Sequence, residues 1–182
     1  MPPQPWKTLS SRTVYKNPWT EVQEDIAEMP NGKQTIYGVI NCADCVGVLP
    51  FFDDARVVMV RQYRYVYGEN HRWEMPTGSV KPGESSAEAA RREMREEVGY
   101  DAKTLQLVST YYTSKSVMRE VGYLFIGRDL TRVQAVPDET EFLEVGILTF
   151  DHVFQMVIDS EIRDSMTVIT VLHAARLLGM LA

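Results

Sequence analysis

The sequence is poor in the side chains that build disulfide frameworks and soft metal sites. It contains two cysteines and three histidines among 182 residues. Cys42 and Cys45 have C-x-x-C spacing, but a structural zinc site needs four ligands and no second cysteine pair exists. We interpret them as two ordinary half-buried thiols in a strand. A redox pair or a fortuitous metal pair is the alternative.

The sequence also lacks long hydrophobic runs and an excess of basic residues. No stretch of about 18 apolar residues occurs, so no membrane span and no membrane partner are expected. The first seven residues lack the apolar core of a signal peptide, which favours a cytoplasmic protein. Lysine and arginine number 19 against 25 acidic residues, a formal net charge of −6. Because nucleic-acid binding needs a basic face, no nucleic-acid partner is expected.

Residues 1–44 are predicted to form a small antiparallel β-sheet. Residues 20–29 and 33–41 have extended character, and the Asn31-Gly32 pair between them is a strong hairpin signal. Residues 8–15 add a third strand. A sheet of this size is marginal alone, so it must pack on the main domain or on a second chain.

Residues 45–182 are predicted to form the main domain. Strands and helices mix without strict alternation, which indicates a mixed α/β (α+β) fold. The predicted strands are 46–52, 56–63, 105–112, 121–126 and 145–150, and the predicted helices are 86–98, 151–158 and 165–178.

The predicted helix 86–98 has clear signals at both ends. Ser85 and Glu88 match a capping box, and Gly99 occupies the position where a left-handed residue ends a helix. Apolar residues recur at helical spacing and predict one buried face. They are Ala87, Ala90, Met94 and Val98.

The same helix carries an unusual concentration of carboxylates. Glu93 and Glu97 are four residues apart, with Glu96 beside them, and like charges at this spacing repel. A hard divalent cation such as Mg²⁺ between them would explain the pattern. A solvated charged face, with the neighbouring arginines pairing with the glutamates, explains it equally well from the helix alone. Those arginines are Arg91, Arg92 and Arg95.

A wider pattern separates these two interpretations. The chain has Gly78, five residues, Glu84, seven residues, and then the run REMREEVGY over residues 92–100. This resembles the Nudix box, G-x5-E-x7-R-E-U-x-E-E-x-G-U, where U is a bulky apolar residue. Every fixed position matches, and Met94 and Tyr100 occupy the U positions.

The resemblance implies a fold and a set of roles. The fold is a Nudix-type α/β/α sandwich with a mixed sheet, here preceded by the small N-terminal antiparallel sheet. Glu93 and Glu97 would bind Mg²⁺, or Mn²⁺ in its place, and Gly78 would let the Thr77 carbonyl approach the metal. The remaining box residues would act beside them: Glu96 as a further ligand or base, Arg92 as the ion-pair partner of the glutamates, and Glu84 as orienter of the helix or as a ligand through water.

Outside the box, the chain resembles the ADP-ribose pyrophosphatase branch of this family. The similar stretches are RQYRY at 61–65, WEMPTG at 73–78 and PDETEFLEV at 137–145. The resemblance makes Glu139 a candidate base and Glu141 a candidate metal ligand, although a solvated acidic turn is the alternative. Arg64 would hold a substrate phosphate, with an ordinary surface residue as the alternative, and Arg61 and Glu120 are further candidates for binding substrate. Glu120 matches a usual acidic position.

The resemblance implies hydrolysis of ADP-ribose to AMP and ribose 5-phosphate. GDP-mannose, or another nucleotide sugar or dinucleotide, is the alternative substrate, because residues 112–116 lack the proline usual in the branch. A nucleotide sensor without catalysis is a further alternative, but such domains tend to lose the box glutamates. The resemblance also implies a homodimer formed through the N-terminal β segment, with Trp19 or Tyr37 stacking on the base.

Overall fold

The structure is a computed structural model that describes residues 4–68, 72–134 and 142–181. The chain divides into two compact units. The first contains Met1–Asp44 and Tyr112–Val121, and the second contains Cys45–Tyr111 and Gly122–Ala182.

Ten strands and three helices occur in the described part of the chain. In chain order they are β1 (Lys7–Lys16), β2 (Glu21–Glu28), β3 (Gln34–Asn41), β4 (Cys45–Pro50), β5 (Arg56–Arg61), β6 (Thr77–Ser79), α1 (Ser86–Val98), β7 (Tyr100–Tyr112), β8 (Met118–Arg119), β9 (Val121–Arg132), β10 (Glu144–Thr149), α2 (Phe150–Ile158) and α3 (Ser165–Leu177). None of these helices has the length and hydropathy needed to cross a membrane.

The first unit is a four-stranded sheet in the order β1-β2-β3-β8. The first three strands are antiparallel, which confirms the predicted N-terminal sheet. Its hairpin closes where the Met29 N–H donates to the Lys33 carbonyl at 2.8 Å, with Gly32 at a φ of 79°. Such a φ favours glycine because it has no Cβ. The short β8 pairs in parallel with the end of β3.

The second unit contains a mixed sheet in the order β6-β4-β9-β7 and a two-stranded sheet of β5 and β10. Strand β4 is parallel to β9 and antiparallel to β6. Strands β4 and β5 are buried along nearly their whole length, because apolar side chains pack on both faces. This arrangement confirms the predicted mixed α/β fold.

The core of the second unit has two hydrophobic clusters. One lies under α1 and includes Val46, Val58 and Met94. The other includes Leu49 and the residues of α2 and α3 that face inward, such as Val153 and Val171. Helix α1 therefore packs on the strands through one cluster, and α2 and α3 pack on them through the other, as expected for an α/β/α sandwich.

Candidate active site

Helix α1 is held at both ends by the caps that the sequence predicts. The Ser85 hydroxyl accepts from the Glu88 N–H, and the Glu88 carboxylate accepts from the Ser85 N–H at 2.8 Å. Gly99 has a φ of 70°, and its N–H donates to the Arg95 carbonyl at 3.2 Å. These caps fix the helix at Ser86–Val98 and so fix the register of its glutamates.

The buried face of α1 includes two carboxylates. Glu93 is 7% exposed and Glu97 is 5% exposed. This burial shows that the alternative of a solvated charged face is wrong for these two residues. The expected apolar face also needs one correction, because Ala87 is exposed in the first turn and burial begins at Ala89.

One arginine organises the glutamates of the box. Arg92 donates from Nε to Glu84 Oε1 at 2.9 Å, and from Nη1 to Glu93 at 2.7 Å and to Glu96 at 3.0 Å. Its Nη2 also reaches the Ser79 carbonyl at 2.9 Å. The hydrogen bond to Glu84 is the main cause that raises the pKa of Arg92, and the same bond lowers the pKa of Glu84. Arg92 therefore stays cationic and fixes three carboxylates.

The other two arginines of the helix do not pair with these glutamates. Arg91 and Arg95 both form ion pairs with Asp101, which follows the helix. The alternative of a solvated face, in which all three arginines pair with the glutamates, is therefore wrong for Arg91 and Arg95. The carboxylates of Glu84, Glu93 and Glu96 share the single guanidinium of Arg92.

The loop before α1 brings backbone close to the buried carboxylates. The Thr77 N–H donates to Glu97 Oε2 at 3.3 Å. A Cβ built on Gly78 would lie 2.0 Å from the Glu93 carboxyl group, so only glycine fits there without a shift. Pairing of β6 with β4 positions this backbone segment. The structure thus brings together Thr77, Gly78, Glu93 and Glu97, as predicted.

The donor set fits a hard divalent cation. Buried charges are generally paired or coordinate a metal ion, and Glu93 and Glu97 place two carboxylates in one buried position. All the donors are oxygens, which Mg²⁺ prefers. Within residues 4–68, 72–134 and 142–181, no three His, Cys, Asp or Glu side chains complete a metal site by themselves. The predicted base Glu139 and the predicted ligand Glu141 lie outside the described residues.

A cavity of about 630 Å³ lies in the same unit, and its lining includes Thr77, the residue before the box. Three arginines line it, which favours a ligand with phosphate groups. Arg72 donates to the Glu161 carbonyl at 2.6 Å, and Arg163 donates to the Ser160 carbonyl at 3.1 Å. The full lining is Arg64, Tyr67, Arg72, Trp73, Glu74, Thr77, Arg163, Asp164, Ser165 and Met166.

Arg64 lies on the wall of this cavity, as its predicted role requires. Its Nη2 donates to Glu74 Oε1 at 2.6 Å. Burial raises the pKa of Glu74, and the adjacent Arg64 opposes that rise. Arg61 lies outside this lining. It forms two hydrogen bonds of 2.8 Å with Glu144 and stacks 4.8 Å above the Trp73 ring.

Three further predicted residues belong to the first unit. Trp19 is 79% exposed. The Tyr37 hydroxyl donates to the Ser116 carbonyl at 2.7 Å. Glu120 lies beside Cys42. The pKa of the Cys42 thiol is raised mainly by burial and to a smaller extent by the negative charge of Glu120. A raised pKa disfavours the reactive thiolate. Neither cysteine is part of a disulfide, and both are half-buried, but Cys42 lies in the connection before β4 rather than in a strand.

The sequence interpretation missed several residues of the cavity wall. Trp73 begins the run WEMPTG that leads into the box, and Arg72 directly precedes it, but no spacing rule assigns either residue to a cavity wall. Arg163 precedes Asp164, which caps α3 by accepting from the Thr167 N–H at 2.7 Å. An aspartate at this position predicts the start of a helix. The sequence does not show that this helix start and Arg72 line the same cavity, because the two are distant along the chain.

Comparisons with known proteins agree with this geometry. Residues 43–166 match the family described as NUDIX domain, and residues 6–40 match the nucleoside diphosphate sugar hydrolase N-terminal domain. The chain is 29% identical to an ADP-ribose pyrophosphatase of Bacillus subtilis (strain 168), over 88% of each chain. It is 30% identical to a methanol dehydrogenase activator of Bacillus methanolicus, over 91% of this chain and 90% of that one. A crystal structure of an ADP compounds hydrolase has the same fold, with a TM-score of 0.86, 24% identity and coverage of 99% and 97%.

Proposed function

The chain belongs to the Nudix hydrolase family and is a pyrophosphohydrolase, and from this premise we propose that ADP-ribose is its preferred substrate. Hydrolysis would give AMP and ribose 5-phosphate. The observation that carries this proposal is the complete box, with Glu93 and Glu97 buried against the backbone of Thr77 and Gly78. The names of the relatives support the choice of an ADP-linked substrate.

Nudix hydrolases generally use divalent metals, and we propose Mg²⁺ here, with Mn²⁺ as a substitute. Glu93, Glu97 and the Thr77 carbonyl would hold the ion, with Glu96 and Glu141 as further ligands. When bound, a divalent cation offsets charge on the phosphate oxygens and favours deprotonation of the attacking water.

The chain's own residues supply the rest of the chemistry. Glu139 is the proposed base, with Glu96 as the second candidate, and either would take the proton of the water that attacks one phosphorus. The P–O bond to the bridging oxygen then breaks, and the second phosphate leaves. Arg64 would hold phosphate oxygens with its planar fork of donors. Arg92 keeps the glutamates in place through the ion pairs described above, and Glu84 orients Arg92.

The arginine-lined cavity is the proposed place for the phosphates and the terminal group. Arg72 and Arg163 face it together with Arg64, and Glu74 and Asp164 supply acceptors for sugar hydroxyls. Its volume of about 630 Å³ suits a small molecule. In the first unit, Trp19 or Tyr37 would stack on the base, and residues 1–44 would serve as the dimerisation segment beside a hydrolase domain of residues 45–182. A cytoplasmic location and the lack of a nucleic-acid partner remain predictions from composition.

A substrate panel with the full chain tests this proposal. ADP-ribose, GDP-mannose and a diadenosine polyphosphate are incubated with Mg²⁺, and phosphate is measured after phosphatase treatment. We expect the highest kcat/KM with ADP-ribose, with AMP and ribose 5-phosphate identified by chromatography. EDTA should abolish turnover, and added Mg²⁺ or Mn²⁺ should restore it. Full turnover in metal-free buffer, or a clear preference for GDP-mannose, would contradict the proposal.

A further inference from the structure

The first unit has a cavity of its own, of about 460 Å³. One face of the sheet forms its floor, because Asp25 lies directly across from Tyr37 and Thr8 lies across from Ala27. Cross-strand neighbours present their side chains to the same face of a sheet. These four residues all line the cavity. The proposed hydrolase chemistry uses none of the floor residues except Tyr37.

Asp25 is the unusual group in this floor. The residue is 7% exposed, and its Oδ1 is buried with no hydrogen-bond partner. A buried carboxylate oxygen normally has a hydrogen-bond donor, because its lost hydration is otherwise not replaced. A ligand with an N–H group could therefore donate the hydrogen bond that Asp25 Oδ1 lacks.

The walls of the cavity are aromatic and fixed. Trp6 meets Tyr37 edge to face, with ring centroids 6.1 Å apart and an angle of 87° between the planes. The Tyr37 hydroxyl donates to the Ser116 carbonyl at 2.7 Å. The Val117 carbonyl accepts from the Ile40 N–H at 2.7 Å, so the wall segment is tied to β3. The cavity thus has an apolar, preorganised body around a buried acceptor.

The cavity also carries positive charge on its lining. Lys115 and Arg119 both line it and are exposed. Neither forms an ion pair with any other residue that the structure describes. A simple organic cation would satisfy Asp25 but would be repelled by these two side chains. A simple anion would be attracted to Lys115 and Arg119 but would leave the Asp25 carboxylate without a hydrogen-bond donor.

We propose that this cavity binds a small zwitterion, of the class of α-amino acids with an apolar side chain. The ammonium group donates to Asp25, and the carboxylate is attracted to Lys115 and Arg119. The apolar side chain packs against Trp6 and Tyr37, whose rings can also face the cation. A cavity of about 460 Å³ lies within the range of small-molecule sites.

Calorimetric titration of the full chain with three probes tests this proposal. L-Phenylalanine carries both charges, phenethylamine lacks the carboxylate and 3-phenylpropanoate lacks the ammonium group. We expect L-phenylalanine to bind about tenfold or more tightly than either analogue, because each analogue loses a charge-assisted contact. Asp25→Asn should weaken L-phenylalanine binding by about tenfold or more, and should not weaken 3-phenylpropanoate binding.

Two further variants keep the test decisive. Lys115→Met and Arg119→Met are on exposed positions, so they should fold normally and weaken L-phenylalanine but not phenethylamine. Glu28→Gln, on the same strand as Asp25 but outside the cavity, is the matched control. The proposal is overturned if L-phenylalanine does not bind, if 3-phenylpropanoate binds equally well, or if Asp25→Asn folds and binds L-phenylalanine like the wild type. ADP-ribose hydrolysis is measured separately, so a failure here leaves the proposed function untouched.

Discussion

Glu97 is a buried carboxylate: the residue is 5% exposed and accepts a hydrogen bond from the backbone N–H of Thr77. We expect Glu97→Gln to lower kcat/KM for ADP-ribose by about 10² or more, because it removes the charge that would hold the metal. Glutamine keeps the shape of the side chain and can still accept from the Thr77 N–H. The melting temperature should therefore change little while turnover falls, which steady-state kinetics and thermal unfolding will show.

Glu88→Gln is the matched control for that variant. It makes the same change on the same helix, but Glu88 is exposed and acts in the capping box, where glutamine serves equally well. Activity close to wild type is expected. If Glu97→Gln also stays near wild-type turnover at saturating Mg²⁺, the proposed metal ligand is wrong.

Glu84 links stability to pH through its hydrogen bonds with Arg92. The bond to Arg92 lowers the pKa of Glu84 in the folded state. Its stabilising contribution is therefore present above the unfolded pKa and is lost as the pH falls through the folded value. Glu84→Gln should lower the free energy of unfolding by roughly 1–3 kcal/mol at pH 7. The difference from wild type should shrink below about pH 4.

Urea unfolding between pH 3 and pH 7 measures this difference. Glu144→Gln is a suitable comparison, because it breaks the more exposed ion pair with Arg61 and should change stability less. A difference between wild type and Glu84→Gln that stays constant down to pH 3 would show that the charge of Glu84 does not matter to stability.

At the scale of elements, helix α1 could be predicted because its signals are local. Ser85, Glu88 and Gly99 act within a few residues of the helix ends, and the structure has the caps that they predict. The hairpin between β2 and β3 was equally local, since Asn31-Gly32 fixes its turn. Short-range chemistry of this kind needs no knowledge of the rest of the chain.

Elements that depend on distant partners were not predicted. Strand β6 has only three residues, and its extended form depends on pairing with β4. Strand β8 has two residues and exists through its parallel pairing with β3. The burial of Glu93 and Glu97 was missed for the same reason. Helical spacing shows that the two share a face, but packing on the sheet decides whether that face is buried.

The start of α3 brings Arg163 to the arginine-lined cavity. Arg163→Gln should raise the KM for ADP-ribose about tenfold with little change in kcat, because an interaction that holds phosphate in the ground state and the transition state alike affects binding alone. Arg176→Gln, an exposed arginine in the last turn of the same helix, is the control and should change neither constant. Equal effects of the two substitutions on KM would exclude a specific role for Arg163.

At the scale of the whole molecule, the two units differ in how well they cover their apolar residues. The second unit has two buried clusters that account for most of the core. In the first unit, β1 is an edge strand of its sheet, and all ten of its residues are exposed. An exposed edge with apolar side chains is a typical surface for association. The large exposed apolar residues of this unit include Trp6, Val14, Tyr15, Trp19 and Ile36.

We therefore expect a homodimer formed through the N-terminal β segment. Light scattering after size exclusion should give a mass of about 42 kDa, twice the 20.8 kDa of the chain. Ile36, at 65% exposure, offers a change that leaves the sheet intact. Ile36→Glu should shift the mass toward the monomer, because a charge placed in an apolar interface must be desolvated. Ile36→Val keeps the surface apolar and is the matched control.

Deletion of residues 1–41 tests whether catalysis needs this segment. If Trp19 or Tyr37 stacks on the base, the truncated chain should lose both dimerisation and most ADP-ribose hydrolysis. Ile36→Glu separates the two effects, because it keeps both aromatic side chains while it weakens association. Low activity in Ile36→Glu would mean that a site needs the partner's segment, whereas normal activity would mean that each chain supplies its own aromatic residues. A truncated monomer with full turnover would contradict any role of the N-terminal sheet in hydrolysis.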